Sequence, residues 1–357
     1  MTRTNHRTRI DSHLASLAAA SLLALAGCSG ASDPDVAGPT SAGGSGGVAG
    51  EGGSAPGGTG SGSGGSGGGI VIGSGGAAGG GGEGSGCRKV DFLFIVDNSA
   101  SMNNEQAQLV AAFPGFISAI QTTLSAGNDI HVMVTDTDAW GRCNTANPWT
   151  GSDPSSNLCD SYIETHEFEE CDRTRGAGVV HPAGKYASDA LCQFPAGRRW
   201  LDGTDPNLSA NFACAAQVGV AGHPKERPMD SMLAALDAPI NAPGGCNAGF
   251  LRDDALLVVT FISDDPKYED TGTPDDWYDA VVAAKHGDPN AIVMVGFTPV
   301  GCGGGGSSIN GAHWAELVAK FPNHLAAQVC TSDYVPTFTE AVKLIDDSCD
   351  QYVPPVS

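Results

Sequence analysis

The five residues Asp97-Asn98-Ser99-Ala100-Ser101 set one carboxylate and two hydroxyls at alternate positions of a short turn. Oxygen-only donors of low total charge, which leave room for water or an outside carboxylate, suit Mg²⁺ or Mn²⁺, or the larger Ca²⁺, better than zinc or copper. A second carboxylate, Asp264, follows another apolar run, where it can hold coordinated water from the opposite side. The same residue types also turn a chain and cap the helix that follows. Their location directly after two buried-strand patterns favours the ligand reading over the turn reading.

The elements that must position these groups are legible as apolar patterns. Val90 to Val96 is nearly continuous in apolar residues, broken only by Asp91, as expected of a strand covered on both faces. Glu105 to Ile120 carries Leu109, Ala112, Phe113, Phe116, Ile117 and Ile120 at helical spacing, with Pro114 and Gly115 predicting a kink. Ile130 to Val134 is the next strand, running into Asp136 and Asp138, which are expected to form an exposed, solvated acidic turn. Residues 139 to about 224 lack clear periodicity and hold five cysteines, so they are expected to be a disulfide-stapled insertion with an edge strand near Arg198 to Leu201. Helix Met229 to Leu236, strand Ala255 to Ile262, helix Asp276 to Lys285, strand Ala291 to Phe297 and helices Ala312 to Lys320 and Phe338 to Ile345 follow. This alternation predicts an α/β fold, a doubly wound, mostly parallel sheet flanked by helices, over residues 87–350, with 351–357 as a tail. In such sheets a ligand sits beyond the carboxyl ends of the strands, near a topological switch point.

The segment Val90 to Met102, VDFLFIVDNSASM, resembles the first strand and metal-ion-dependent adhesion site of von Willebrand factor type A domains, and LLVVTFISDD is similar to their strand bearing the second acidic residue. The resemblance implies Ser99 and Ser101 as direct metal ligands, Asp97 as a direct or water-mediated ligand, and Asp264 as a water-mediated one. It also implies a protein partner whose acidic side chain completes the coordination. One position departs from the family pattern. Where a Thr usually opens a helix, this chain has Gly222-His223-Pro224-Lys225-Glu226-Arg227-Pro228-Met229. Glu226 can supply an oxygen there, and Arg227 can instead fill the site electrostatically. A carboxylate in place of a hydroxyl strengthens cation binding but weakens attraction for an acidic ligand.

The N-terminal quarter carries a different message. Arg3, Arg7 and Arg9 precede an apolar run from Leu14 to Ala26, the pattern of an export signal over residues 1–27. Leu25-Ala26-Gly27-Cys28 resembles the lipobox of bacterial lipoproteins, which implies that Cys28 is acylated and that the protein is anchored in a cell envelope, at an outer membrane or cell surface. Residues 28–86 are rich in Gly, Ser and Ala and hold more than half of the 51 glycines. Such a segment buries too little apolar surface to offset its chain entropy and is expected to act as a tether.

Apart from Cys28 the cysteines form an even set: Cys87, Cys143, Cys159, Cys171, Cys192, Cys214, Cys246, Cys302, Cys330 and Cys349. In an exported chain disulfides are the expectation, and a Cys87–Cys349 bridge would pin the two ends of the domain. With 18 Lys and Arg against 40 Asp and Glu and no basic stripe, the chain is not a nucleic-acid binder. His131, on a strand, is expected to be a packed histidine, and no Ser/His/Asp or Cys/His set has spacing that supports nucleophilic catalysis. The sequence therefore points to a membrane-anchored, non-enzymatic binding module. The alternative is a disulfide-stapled envelope scaffold whose metal site is vestigial or purely structural.

Overall fold

Four of the apolar runs form seven-residue strands buried at every position: β1 (Val90–Val96), β2 (Ile130–Asp136), β4 (Leu256–Ile262) and β5 (Ile292–Thr298). Two short edges complete the sheet, β3 (Leu201–Asp202) beside β2 and β6 (Asn323–Gln328) beside β5. The order is β3-β2-β1-β4-β5-β6, with β3 antiparallel and the other pairings parallel. This computed structural model describes residues 87–124, 129–137, 169–182, 184–195, 197–222, 226–264, 270–302 and 311–355. The export signal, Cys28, the tether, Asp138, Cys143, Cys159 and the stretch 223–225 lie outside the described residues.

Strand alternation divides the core in two. Phe92, Phe94 and Val96 of β1 face helices α1 (Asn103–Thr123), α2 (Leu208–Ala216) and α7 (Val335–Gln351). Leu93 and Ile95 face the other way, towards α3 (Pro228–Leu236), α5 (Pro274–Ala283) and α6 (Ala312–Lys320). A single-turn helix, α4 (Ala238–Asn241), follows α3 directly. Because both faces are covered, a strand cannot alternate polar with apolar residues, which is why the runs read as continuous. α1 is one helix with Pro114 inside it.

Within the described part of the cysteine-rich stretch, a helix packs directly on the core. α2 docks Phe212 flat on Phe113, with ring centroids 3.5 Å apart, and edge-on to Phe94 at 4.9 Å. Cys192–Cys214 ties α2 to the preceding loop, and Cys171–Cys246 ties the stretch to the segment after α4. Cys302–Cys330 joins the segments that follow β5 and β6, and Cys87–Cys349 joins the residues ahead of β1 to the end of α7.

Asp91, the interruption in β1, is fully buried at the amino end of the sheet. It accepts the backbone N–H of Arg252 at 2.7 Å and the Arg252 Nε–H at 2.8 Å. Burial pushes its carboxyl up to about 6, while Arg252 pulls it down. His131 stacks on Trp200 at 3.7 Å with Nδ1 2.9 Å from the Phe250 carbonyl oxygen. Burial, then the Arg252 charge, lowers its pKa to about 4, so it is a neutral packed histidine at physiological pH. Among the described residues no helix is long and apolar enough to cross a membrane.

Candidate metal centre

β1 and β4 run side by side in register, Val96 opposite Ile262, and leave the sheet together. From β1 the chain turns to β2 on one side and later returns to β4 on the other, so their carboxyl ends flank the switch point where a crevice opens. Asp97 follows β1 and Ser263 and Asp264 follow β4, which places the two acidic strand ends at one crevice.

Asp97 is fully buried, and both of its carboxylate oxygens accept hydrogen bonds. Oδ1 accepts the Ser99 N–H at 2.7 Å and Oδ2 accepts the Ser263 hydroxyl at 2.7 Å. The Ser263 hydroxyl also lies 3.2 Å from Glu226 Oε2, linking the end of β4 to the segment ahead of α3. Ser99 Oγ is 3.3 Å from Ser101 Oγ, which donates to Asp264 Oδ1 at 2.8 Å. One carboxylate oxygen from each of Asp97, Glu226 and Asp264 lies within 4.8 Å of the other two. The structure thus brings together all five residues singled out from sequence. Asp97, Ser99 and Glu226 are buried, Asp264 is half-buried and Ser101 is exposed, so the group opens to solvent along its Ser101 and Asp264 side.

Two clasps fix the loop that delivers Glu226. The Gln106 side-chain amide donates to the Asp97 carbonyl and to the Gly219 carbonyl, each at 2.8 Å, and its oxygen accepts the Gly219 N–H at 3.1 Å. The Gly222 N–H donates to the Asn98 carbonyl at 2.8 Å, while Thr137 Oγ1 donates to Asn98 Oδ1 at 3.1 Å. A Cβ on Gly222 would lie 2.0 Å from Asn98 Oδ1, so a side chain at 222 forces the two strands of loop apart.

The electrostatics are those of crowded negative charge. Burial holds the Asp97 carboxyl above its ordinary value, opposed in part by hydrogen bonds with Glu226, Ser263 and Ser99. Asp264 is pushed up to about 6, first by burial and then by the charge of Asp97. Glu105, in the first turn of α1, is also raised by burial and by Asp97, and its Oε2 is buried without a hydrogen-bond partner. Carboxylates placed this way favour whatever neutralises them, a proton or a cation, which is the condition a divalent ion site requires. All donors in the group are hard oxygen atoms, matching Mg²⁺, Mn²⁺ or Ca²⁺.

Asp136 departs from expectation. It is buried at the end of β2 rather than lying on an exposed acidic turn. Sequence reasoning also missed Ser263, Gln106, Asn98 and Glu105. Gln106 left a signal, since it stands three residues before Leu109 on the apolar stripe of α1, where a polar residue must find partners. Ser263 left none beyond adjacency to Asp264.

Compared with known proteins, the chain matches no family model and no curated sequence. The fold and site define a class instead: a disulfide-bridged α/β domain whose mostly parallel sheet gathers carboxylates at its switch point.

Proposed function

We propose that the protein is an exported, Cys28-anchored binding module resembling a von Willebrand factor type A domain, which engages a protein partner through a divalent cation. The observation that carries this reading is the convergence of Asp97, Glu226 and Asp264 beside the Ser99 and Ser101 hydroxyls at the switch point. Asp97, Ser99, Ser101, Asp264 and Glu226 would hold Mg²⁺, Mn²⁺ or Ca²⁺, with Glu226 standing where the family places Thr. The ion supplies a Lewis-acidic position for an acidic side chain of the partner. The exposed Ser101 and half-buried Asp264 form the open side from which a partner approaches.

Calorimetric titration of the purified full chain with Mg²⁺ and Mn²⁺ tests the reading. Saturable binding at or below millimolar concentration, lost in Asp97→Ala, is the expected result. Absence of binding in the wild-type protein at millimolar cation refutes it and leaves the scaffold reading in its place.

A further inference from the structure

α3 begins without a cap of its own. Pro228 occupies its first turn, where a missing N–H costs nothing, but Arg227 at the N-cap position contributes no side-chain hydrogen bond. The N–H groups of Met229 and Asp230 are therefore orphans of the kind that every helix start must satisfy. Asp270, more than 40 residues away in the segment between β4 and α5, accepts both on Oδ1, at 2.9 Å and 3.0 Å. Its Oδ2 accepts the indole N–H of the fully buried Trp314 of α6 at 2.9 Å. The contact is reciprocated, since Asp230 Oδ1 accepts the Thr271 N–H at 2.9 Å, and the Thr271 carbonyl accepts the Trp277 indole N–H of α5 at 2.8 Å.

Each half of this clasp follows a member of the carboxylate group in the chain. Glu226 stands three residues ahead of Met229, and Asp264 six residues ahead of Asp270. We propose that Asp270 is a positioning residue of the site: by capping α3 from another segment it holds Glu226 in register with Asp264. The clasp itself stands on geometry alone, while its effect on ion affinity rests on the cation reading above.

The chemistry favours a carboxylate here over an amide. Three N–H donors converge on two acceptor oxygens, and a negative charge at a helix N-terminus is stabilised by the helix dipole. An amide has a single acceptor oxygen, so Asp270→Asn turns an NH₂ group towards at least one N–H. Burial pushes the Asp270 carboxyl up to about 7, with the Asp230 charge adding to the rise and the Met229, Asp230 and Trp314 donors opposing it. Among the described residues, Asp230 is the charged group that acts on Asp270, and Arg175 Nη1 lies 3.6 Å from the Asp230 carboxylate.

Hydrogen exchange by mass spectrometry and Mn²⁺ titration of the full chain, compared between wild type and Asp270→Asn, decide the matter. The expected result is faster exchange over residues 226–230 and, with it, over 262–264, together with Mn²⁺ affinity weakened about ten- to a hundredfold. Unchanged exchange at 226–227, or affinity within about twofold of wild type, overturns the proposal, because a cap that serves only the helix would leave the site in place. If Asp270→Asn does not fold, Asp230→Ala removes the reciprocal bond from Thr271 and must show the same pattern at smaller amplitude. Failure of wild type to bind Mn²⁺ removes the cation reading alone, and the exchange pattern then decides the clasp by itself.

Discussion

Asp264→Asn has opposite effects with and without a divalent cation. In the ion-free protein Asp264 is a carboxyl whose pKa is raised from 3.8 to about 6 by burial and by the charge of Asp97. An acid raised in the folded state imposes no penalty below its unfolded value, and the penalty grows until the pH passes the folded one. A rise of two units corresponds to about 3 kcal/mol at full weight. Asp264 is only half-buried, so solvent screening reduces this to roughly 1–2 kcal/mol at neutral pH. Asparagine is close in shape and keeps an acceptor for the Ser101 hydroxyl, so the ion-free variant should be more stable than wild type by about that amount. In thermal midpoint this is a gain of about 2–8 °C for a domain of this size. Saturating cation reverses the ranking, because an ion at a hundred times its dissociation constant stabilises wild type by about 2.7 kcal/mol, while the variant gains little. Scanning calorimetry at pH 7.5, with chelator and then with excess Mg²⁺, reads both arms. A variant that is less stable than wild type in chelator, or that gains as much from Mg²⁺, would show that Asp264 is neither crowded by like charge nor part of an ion site.

In chelator, acidification from pH 7.5 to 5.5 should raise the wild-type midpoint, because Asp270, Asp264 and Asp91 take up protons in the folded state near 7, 6 and 6 before the unfolded chain does. His131, with its folded pKa near 4, works in the opposite direction below its ordinary value of 6.5, and a midpoint that falls throughout the range would refute the sign. Gly222→Ala drives a methyl group against the carbonyl and side-chain oxygens of Asn98, which should cost roughly 1–3 kcal/mol in denaturant unfolding and weaken cation binding. An unchanged unfolding midpoint would mean that the Gly222 and Asn98 segments separate freely.

The parts of the molecule that were legible in the sequence are those where one physical rule dominates. β1, β2, β4 and β5 lie between two helical layers and must be apolar on both faces, so they stand out as runs. β6 obeys no such rule: Asn323-His324-Leu325-Ala326-Ala327-Gln328 is an edge with alternate residues exposed, and its pairing with β5 leaves no mark in composition. α2 did leave one. Leu208, Phe212, Ala215 and Ala216 share a helical face, but the stretch lies among cysteines and is short. At the site, Asp97, Ser99, Ser101 and Asp264 follow strand ends, where topology gathers ligand groups, and Glu226 was legible only through the pattern it departs from. Asp270 acts through partners 40 or more residues away, and Gln106 joins Asp97 to Gly219, 113 residues from itself, and such pairings exist only once the fold has formed.

The Cys87–Cys349 bridge determines how the domain carries mechanical load. It closes a loop of 262 residues between the residue that leads into β1 and the last turn of α7. A pull applied between the chain upstream of Cys87 and the residues beyond Cys349 passes through one covalent bond and leaves the whole sheet unstressed. A pull between the upstream chain and the proposed partner at Asp97 would take another route, straight along β1. That strand is bonded to β2 on one side and β4 on the other over all seven residues, so the force is carried as tension along an already extended backbone, and the ladder hydrogen bonds, lying across the load, are not unzipped pair by pair. The bridge thus shields the fold from tension on its ends, while tension on the acidic edge of the sheet falls on its most heavily paired strand.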